Sequence, residues 1–108
     1  RRQALIQTME TPLRSVDAMI SPTVPITAPA IADLAPGAER DGAFFKVNAQ
    51  LLRNPSVVNF SDGCAISIPC HHSTERPVGL MIWQRGGLDG QVLGIAKQLS
   101  ALVNNENN

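Results

Sequence analysis

Two short apolar runs in the second half of the chain restrict its fold more than any other sequence feature. They occupy residues 65–69 and 78–83, are rich in isoleucine or valine, and are bounded by glycine, proline or polar residues. Runs of this length and composition are typical of β-strands that are covered on both faces. The polar residues 70–77 connect the two runs, either as the turn of a hairpin or as part of a longer excursion. The sequence therefore predicts a sheet that contains these two strands.

The first half of the chain predicts a helix, a strand and a proline-rich loop. Apolar residues recur at spacings of three and four within residues 1–14, which predicts a helix whose regular part is limited by Pro12. The apolar run at residues 16–20 is predicted to form a buried strand. Four prolines then make residues 22–42 an extended loop. Its apolar side chains favour packing over a larger body, and an interdomain linker is the alternative.

Helices are predicted before and after the two strands. Residues 44–60 mix apolar and polar side chains and are broken by Pro55, so we expect two short helical pieces that meet near the proline. Asp89 is placed to cap a final amphipathic helix of about four turns. The apolar face of this helix consists of Val92, Leu93, Ala96, Leu99, Leu102 and Val103.

Together these elements predict an α/β fold, a partial mixed sheet of about three strands with flanking helices. Strands that are covered on both faces need helices above and below the sheet, and this chain provides few of them. We therefore expect a larger sheet, completed by further sequence or by another copy of the chain.

The composition is that of a globular domain and disfavours two classes of partner. Of the 108 residues, 44% are hydrophobic and 17% are charged, which is ordinary for a packed, soluble domain. Nine basic and nine acidic side chains cancel, so no positive field attracts a nucleic acid. No apolar run approaches the roughly 20 residues that span a bilayer, and no export signal is recognisable. We expect no nucleic-acid partner, no membrane and a cytoplasmic location.

Side chains that bind metals or act as nucleophiles form no recognisable site. Cys64 and Cys70 lie about 20 Å apart along an extended strand, too far for a disulfide, so both are expected to be reduced and buried. Adjacent residues in 70–72 point to opposite faces and do not converge on an ion, even with Glu75 nearby. The glycines of residues 86–90 fit a turn and a helix cap better than a phosphate cradle. We assign no catalytic residue, no metal and no cofactor to this chain.

A group of polar side chains precedes the first of the two predicted strands. It comprises Arg53, Asn54, Asn59, Ser61 and Asp62. Asn and Asp side chains commonly form hydrogen bonds to the backbone of turns. Asn59 and Asp62 are therefore explained as residues that stabilise a turn before the strand.

Four segments of the chain resemble, in the same order, the C-terminal region of amidase signature enzymes. They are the Asp-apolar-Ser-Pro-Thr-x-Pro stretch in residues 15–25, the segment from Arg53-Asn54 through Asn59 and Gly63 to Pro69-Cys70, the Pro-Val-Gly-Leu strand in residues 77–82, and the helix after Asp89. The chain departs from the family at Cys64, where proline is common, and at His71, where many members have glycine. These departures affect the expected shape of the turn and the expected identity of the substrate, and they leave the expected fold unchanged.

The resemblance implies that residues 1–108 are a single C-terminal fragment of an amidase domain, an α/β/α sandwich on a large mixed sheet. Enzymes of this family hydrolyse carboxamide C–N bonds with a Ser-Ser-Lys triad on upstream segments, and no Gly/Ser-rich segment of that kind occurs here. The chain is then expected to be inactive alone and to contribute Arg53, Asn54 and Asn59 to the wall of the substrate pocket. Whether the parent is a stand-alone amidase or an amidotransferase subunit stays open.

The resemblance also implies partners. The expected protein partner is the missing N-terminal part of the amidase or another copy of the chain, and the parent enzyme takes a small amide substrate. The alternative function is a small non-catalytic binding or self-association module. A fragment should have open sheet edges and apolar patches and should oligomerise or aggregate, whereas a module should be monomeric and unfold cooperatively.

Overall fold

The computed structural model describes residues 2–30 and 38–107 of the chain. In chain order they form helix α1 (Arg2–Leu13), strand β1 (Met19–Pro22), helix α2 (Ala38–Phe60), strands β2 (Cys64–Pro69) and β3 (Gly79–Gln84), and helix α3 (Asp89–Asn107). The predicted α/β class is confirmed. Of the proline loop predicted over residues 22–42, residues 23–30 form no helix or strand, and residues 31–37 lie outside the described ranges. The loop is shorter than predicted, because Pro22 belongs to β1 and residues 38–42 belong to α2. Within the described ranges, no helix has the length and apolar character needed to cross a bilayer.

The sheet has the strand order β1–β3–β2, with β3 in the centre. Both pairings are antiparallel, and Ile82 of β3 lies opposite Ile66 of β2 on one side and Ile20 of β1 on the other. The connection that the sequence left open is therefore a hairpin between β2 and β3. A partial sheet of three strands is confirmed, and a mixed sheet in the whole domain stays a prediction.

The hydrophobic core lies between the sheet and α3. Alternate residues of β2 and β3 face this helix, so that Ile68 and Ile82 pack against Val92 and Ala96. Ile82 is completely buried, with 0% of its surface exposed, because β3 is the central strand and α3 covers it. Full burial of one isoleucine side chain contributes about 1.5–3 kcal/mol. This contact is what attaches the last helix to the hairpin.

Helix α3 differs from its prediction in length, start and exposed residues. It spans 19 residues, about five turns rather than four. The N–H of Val92 donates to the carbonyl of Leu88 (3.0 Å), so Leu88 occupies the cap position and Asp89 lies in the first turn. Leu93 and Leu102, predicted on the buried face, are exposed because a sheet of three strands covers only a narrow stripe of the helix.

Helix α2 is continuous from Ala38 to Phe60, so the predicted break at Pro55 is wrong. Proline fixes φ near the helical value, and its main local effect here is to remove the N–H that would bond the carbonyl of Leu51. The helix tolerates this single loss. Past its end, the N–H of Gly63 donates to the carbonyl of Val58 (2.9 Å) and closes the turn into β2.

Strand β1 is an edge strand, not the buried strand predicted for residues 16–20. It begins at Met19, and the side chain of Ile20 is 60% exposed. The strand starts late because the carbonyls of Val16 and Asp17 accept hydrogen bonds from a β3 side chain instead of from a neighbouring strand. Within the described residues, no second strand pairs with β1.

Within the part of the chain that the structure describes, the outer edge of β1 has one open pairing position. The N–H of Thr23 donates to the carbonyl of Gly79 (3.0 Å), and antiparallel pairing alternates, so Ile20 and Pro22 direct their backbone groups away from β3. Pro22 has no N–H, which suits an edge, and its carbonyl accepts a hydrogen bond from Asn54 (2.8 Å). Among the described residues, none bonds the outward-facing N–H and carbonyl of Ile20, which are therefore open to another strand.

Gln84, at the end of β3, joins the first helix to the sheet. Its side chain is 1% exposed, and its Nε2 donates to the carbonyls of Leu13, Val16 and Asp17 at 3.1, 3.0 and 3.2 Å. Two N–H protons thus serve three acceptors, one on the last residue of α1 and two in the segment that follows it. Its Oε1 accepts from the backbone N–H of Arg85 (2.8 Å), which satisfies the buried amide on both sides. Sequence reasoning gave this residue no role.

A large apolar surface is uncovered in the described part of the chain. Its exposed large side chains are Leu5, Val16, Met19, Ile20, Phe44, Phe45, Leu51, Leu52, Val57, Phe60, Val78, Leu93 and Leu102. The molecule measures 47 × 45 × 16 Å, and its radius of gyration of 16.5 Å exceeds the ~13 Å of a compact domain of this length.

The prediction that the strands are covered on both faces is not met by β2. Helix α3 packs on one face of this strand, while Ala65, Ser67 and Pro69 on the other face are exposed.

Replacing Gln84 by leucine should lower the free energy of unfolding by about 1–3 kcal/mol, because the carbonyls of Leu13, Val16 and Asp17 lose their donor. Urea denaturation followed by circular dichroism measures the change. The matched control is Gln98→Leu, at an exposed glutamine of α3, which should change stability by less than about 0.5 kcal/mol. Equal effects of the two substitutions would contradict the role of Gln84.

Candidate functional site

A notch opens at the end of the sheet where β1 and β2 stop and β3 begins. It has a volume of about 320 Å³. Its lining consists of Thr23, Val24, Ser67, Pro69, His71, Pro77, Val78 and Gly79. The antiparallel order of the strands explains this convergence, because the last residues of both outer strands flank the first residue of the central one.

The floor of the notch is a pair of hydroxyl groups. The side chains of Thr23 and Ser67, 44 residues apart in sequence, hydrogen-bond to each other above Gly79. A Cβ atom on Gly79 would lie 2.6 Å from the Ser67 oxygen and 2.8 Å from the Thr23 oxygen, closer than real Cβ contacts allow. The two hydroxyls meet only because this position is a glycine.

Two hydrogen bonds hold the loop that borders the notch. Asn54 of α2 donates through Nδ2 to the carbonyl of Pro22 (2.8 Å), the residue before Thr23. Arg76 of the hairpin connection donates to the carbonyl of Ala28 (3.0 Å). The start of the proline-rich loop is therefore tied both to a helix and to the hairpin.

His71 lies against the backbone of Val78 at the side of the notch. Its Nδ1 is 3.1 Å from the Val78 nitrogen and 3.3 Å from the Val78 oxygen. A neutral ring with Nδ1 unprotonated accepts from the N–H, and a ring with Nδ1 protonated donates to the carbonyl. The thiol of Cys70 also donates to that carbonyl (3.6 Å). Residues 70–78 are thus folded around the Val78 backbone.

The structure does not bring the three predicted pocket-wall residues together. At about 100° per residue, helix α2 distributes Arg53, Asn54 and Asn59 around its circumference. Asn54 points to the notch loop, Arg53 is exposed, and Asn59 lines a separate groove. Their role in substrate binding stays a prediction.

The turn after α2 is not held by the side chains of Asn59 and Asp62, as the sequence suggested. Asn59 contributes its carbonyl, which accepts the N–H of Asp62 (3.3 Å), and Asp62 has a φ of 54°. The side chain of Asp62 pairs with Arg2. Ser61 is the residue whose side chain bonds the helix end, through the carbonyls of Val57 (2.9 Å) and Val58 (3.2 Å).

A second cavity, an apolar groove of about 600 Å³, runs between α1 and the end of α2. It is lined by Arg2, Leu5, Met9, Ser56, Val57, Asn59 and Phe60. Arg2 closes one end, where its guanidinium donates to the Phe60 carbonyl (3.1 Å), pairs with the Asp62 carboxylate and lies 5.9 Å from the centre of the Phe60 ring. No sequence signal connects Arg2 with residues 58 and 60 positions away.

The thiol of Cys64 lies beside the carboxylate of Asp89 at the start of α3. Burial raises the pKa of this thiol, and the nearby negative charge of Asp89 raises it further. The thiol donates weakly to the carbonyl of Arg85 (3.5 Å). It is therefore a poor nucleophile near neutral pH. Cys64 and Cys70 are both free, and both are half-buried rather than buried as predicted.

The histidines near the hairpin are not arranged around a metal. Glu75 accepts the backbone N–H of His72 (2.9 Å), and its Oε1 lies 4.0 Å from the His72 Nε2. Among the residues that the structure describes, no three histidine, cysteine or acidic side chains are grouped closely enough to hold an ion.

Comparisons with known proteins agree with the sequence resemblance. The profile of the amidase family matches residues 1–93, so the chain belongs to the amidase family. A 2-amino-5-chloromuconic acid deaminase of Comamonas testosteroni is 29% identical over 89 residues, which cover 82% of this chain and 18% of that protein. The chain thus spans less than a fifth of this relative's length. No solved structure gives a significant match.

Replacing Gly79 by alanine should force Thr23 and Ser67 apart and lower the free energy of unfolding by about 1–3 kcal/mol. Gly94→Ala is the matched control, because a Cβ at this helical position meets no atom within 4 Å. That change should instead stabilise α3 by about 0.5–1 kcal/mol. Thermal or urea unfolding compares the two variants, and a stabilising Gly79→Ala would refute the close approach.

The pH dependence of Cys64 alkylation should reflect the raised pKa. In a Cys70→Ser background, the rate of reaction with iodoacetamide should rise with pH later than it does for a cysteine in an unstructured peptide. Asp89→Asn should move the profile to lower pH, because it removes the negative charge that contributes to the raised pKa. A profile at or below that of the peptide, or one that Asp89→Asn leaves unchanged, would contradict the geometry.

Proposed function

We propose that this chain is the C-terminal part of a hydrolase that cleaves the carboxamide C–N bond of small amides. The observation that carries the proposal is the match of the amidase profile to residues 1–93. The relative named above is a deaminase, and deamination likewise breaks a C–N bond. In the whole enzyme, a serine assisted by a second serine and a lysine would attack the amide.

The catalytic groups in this proposal come from outside the chain. Its two lysines are Lys46 and Lys97, and neither lines the notch or the groove described above. The described residues therefore supply no Ser-Ser-Lys constellation at either cavity. The 108-residue chain alone is proposed to be inactive, and its contribution is a part of the sheet and of the pocket wall.

The proposed partner of this chain is the N-terminal remainder of the amidase. Uncovered apolar side chains such as Phe45, which is 69% exposed, and the open position at Ile20 both support a large covering partner. Another copy of the chain is the second possibility, since an exposed strand edge also pairs with itself. It is the basis of the alternative function, a self-association module.

Among the predicted pocket-wall residues, Asn54 has the strongest support. Its side chain holds the carbonyl of Pro22, next to the hydroxyl of Thr23 in the notch. Asn54 is therefore proposed to position the wall rather than to touch the substrate. Arg53 and Asn59 remain proposed contacts of the substrate or of the remainder of the enzyme.

A reducing, cytoplasmic location is part of the proposal. It is supported by the two free thiols, because cysteines in exported proteins are usually paired in disulfides.

The function is tested by measuring ammonia release from a panel of small primary amides. The enzyme that contains this sequence together with its N-terminal remainder should release ammonia, and the 108-residue chain should not. Size-exclusion chromatography of the 108-residue chain should show oligomers or aggregates. A longer enzyme without activity on any amide, combined with a monomeric and cooperatively unfolding 108-residue chain, would favour the binding module instead.

A further inference from the structure

We propose that the hydroxyl pair of Thr23 and Ser67 is a subsite for an uncharged substituent of the substrate that both donates and accepts hydrogen bonds, a primary carboxamide being the simplest. The inference rests on the proposed function, because it assigns to the notch a part of the amide substrate. It concerns a group other than the bond that is hydrolysed.

After Thr23 and Ser67 have bonded to each other, the two hydroxyls can still both donate and accept further hydrogen bonds. Each hydroxyl has one donor and two acceptor lone pairs. The mutual bond uses one donor and one lone pair, so one O–H and three lone pairs remain. Among the described residues, neither Thr23 nor Ser67 makes another side-chain hydrogen bond. A carboxamide, with N–H donors and a carbonyl acceptor, matches both capacities.

The charge of the lining favours a neutral group. None of the eight residues around the notch carries a carboxylate, an ammonium or a guanidinium group, and His71 is the one titratable residue among them. The rest of the wall is apolar, from Val24, Pro69, Pro77 and Val78. A carboxylate bound there would lose water without meeting a lysine or arginine side chain of the lining, whereas a neutral amide loses less solvation.

The pair is held in place before any ligand binds. The backbone of Thr23 donates to the Gly79 carbonyl (3.0 Å), and Gly79 leaves space for both hydroxyls. Asn54 fixes the preceding carbonyl (2.8 Å). Ser67 lies within β2, a strand paired along its whole length with β3. Such preorganisation reduces the entropy that is lost when a ligand binds.

The test uses the whole enzyme and two primary amides of equal length. Succinamide carries a second carboxamide, and 4-methylpentanamide replaces that group by an isopropyl group of similar shape. Thr23→Val removes one hydroxyl and keeps the shape of the side chain. It should reduce kcat/KM for succinamide about tenfold and change kcat/KM for 4-methylpentanamide less than about twofold. Ser67→Ala should show the same selectivity.

The control variant is Thr74→Val, at an exposed threonine of the hairpin connection that does not line the notch. This variant should leave kcat/KM unchanged for both amides. Equal losses for both amides in Thr23→Val, or no loss for succinamide, would overturn the inference while leaving the hydrolase function intact.

A binding measurement keeps the two proposals separable. In the whole enzyme, acetamide should shift the amide resonance of Gly79 in a saturable way, and acetate should not. Thr23→Val should abolish the shift. If no amide is hydrolysed but acetamide still shifts the amide resonance of Gly79, the proposed function fails and the subsite for a neutral group stands. If acetamide does not shift Gly79, the subsite is refuted, whatever the enzyme hydrolyses.

Discussion

The buried side-chain amide of Gln84 is the interaction on which the arrangement of the chain depends. It holds the carbonyls of Leu13, Val16 and Asp17, and so joins α1 and the start of β1 to the central strand. Strand β1 itself contributes only four residues of pairing. On the other side of β3, the longer pairing with β2 and the packing of Ile82 under α3 are independent of Gln84. This polar contact therefore fixes the end of α1 and the start of β1 relative to the core.

The same architecture explains why the chain is thin and unevenly covered. A three-stranded sheet with one tightly packed helix buries a narrow core and leaves many large apolar side chains of the described residues exposed. A chain of this size buries a smaller share of its surface than a large domain does. Membership of the amidase family gives this shape a simple interpretation, since the chain spans only 18% of its relative's length. The exposed faces are then proposed to be internal surfaces of a larger domain.

The elements with strong local signals were predictable from the sequence. The apolar runs at residues 65–69 and 78–83 predicted β2 and β3, and the periodic apolar residues after Asp89 predicted α3. The continuity of α2 was not predicted, because proline inside a helix costs a hydrogen bond and crowds the carbonyl four residues earlier. In α2 the rest of the helix outweighs this cost. The exposure of β1 depends on which strands lie beside it, which its own residues do not specify.

The candidate site was less predictable than the fold, for a physical reason. Asn54 was singled out, but its partner Pro22 lies 32 residues away, and Thr23 and Ser67 are 44 residues apart. Such contacts arise from strand order and register, and local sequence patterns do not encode them. The signal that could have found the notch is Gly79, a glycine that opens an apolar strand, because glycine within a strand often marks a close approach.

The central proposal, that this chain is part of a larger domain, is tested most directly by the amide of Ile20. This N–H points outward from the edge strand β1. Hydrogen–deuterium exchange should show it strongly protected in the whole enzyme and rapidly exchanging in the 108-residue chain. Rapid exchange in both proteins would contradict the claim, because the edge of the sheet would then be open in the intact enzyme as well.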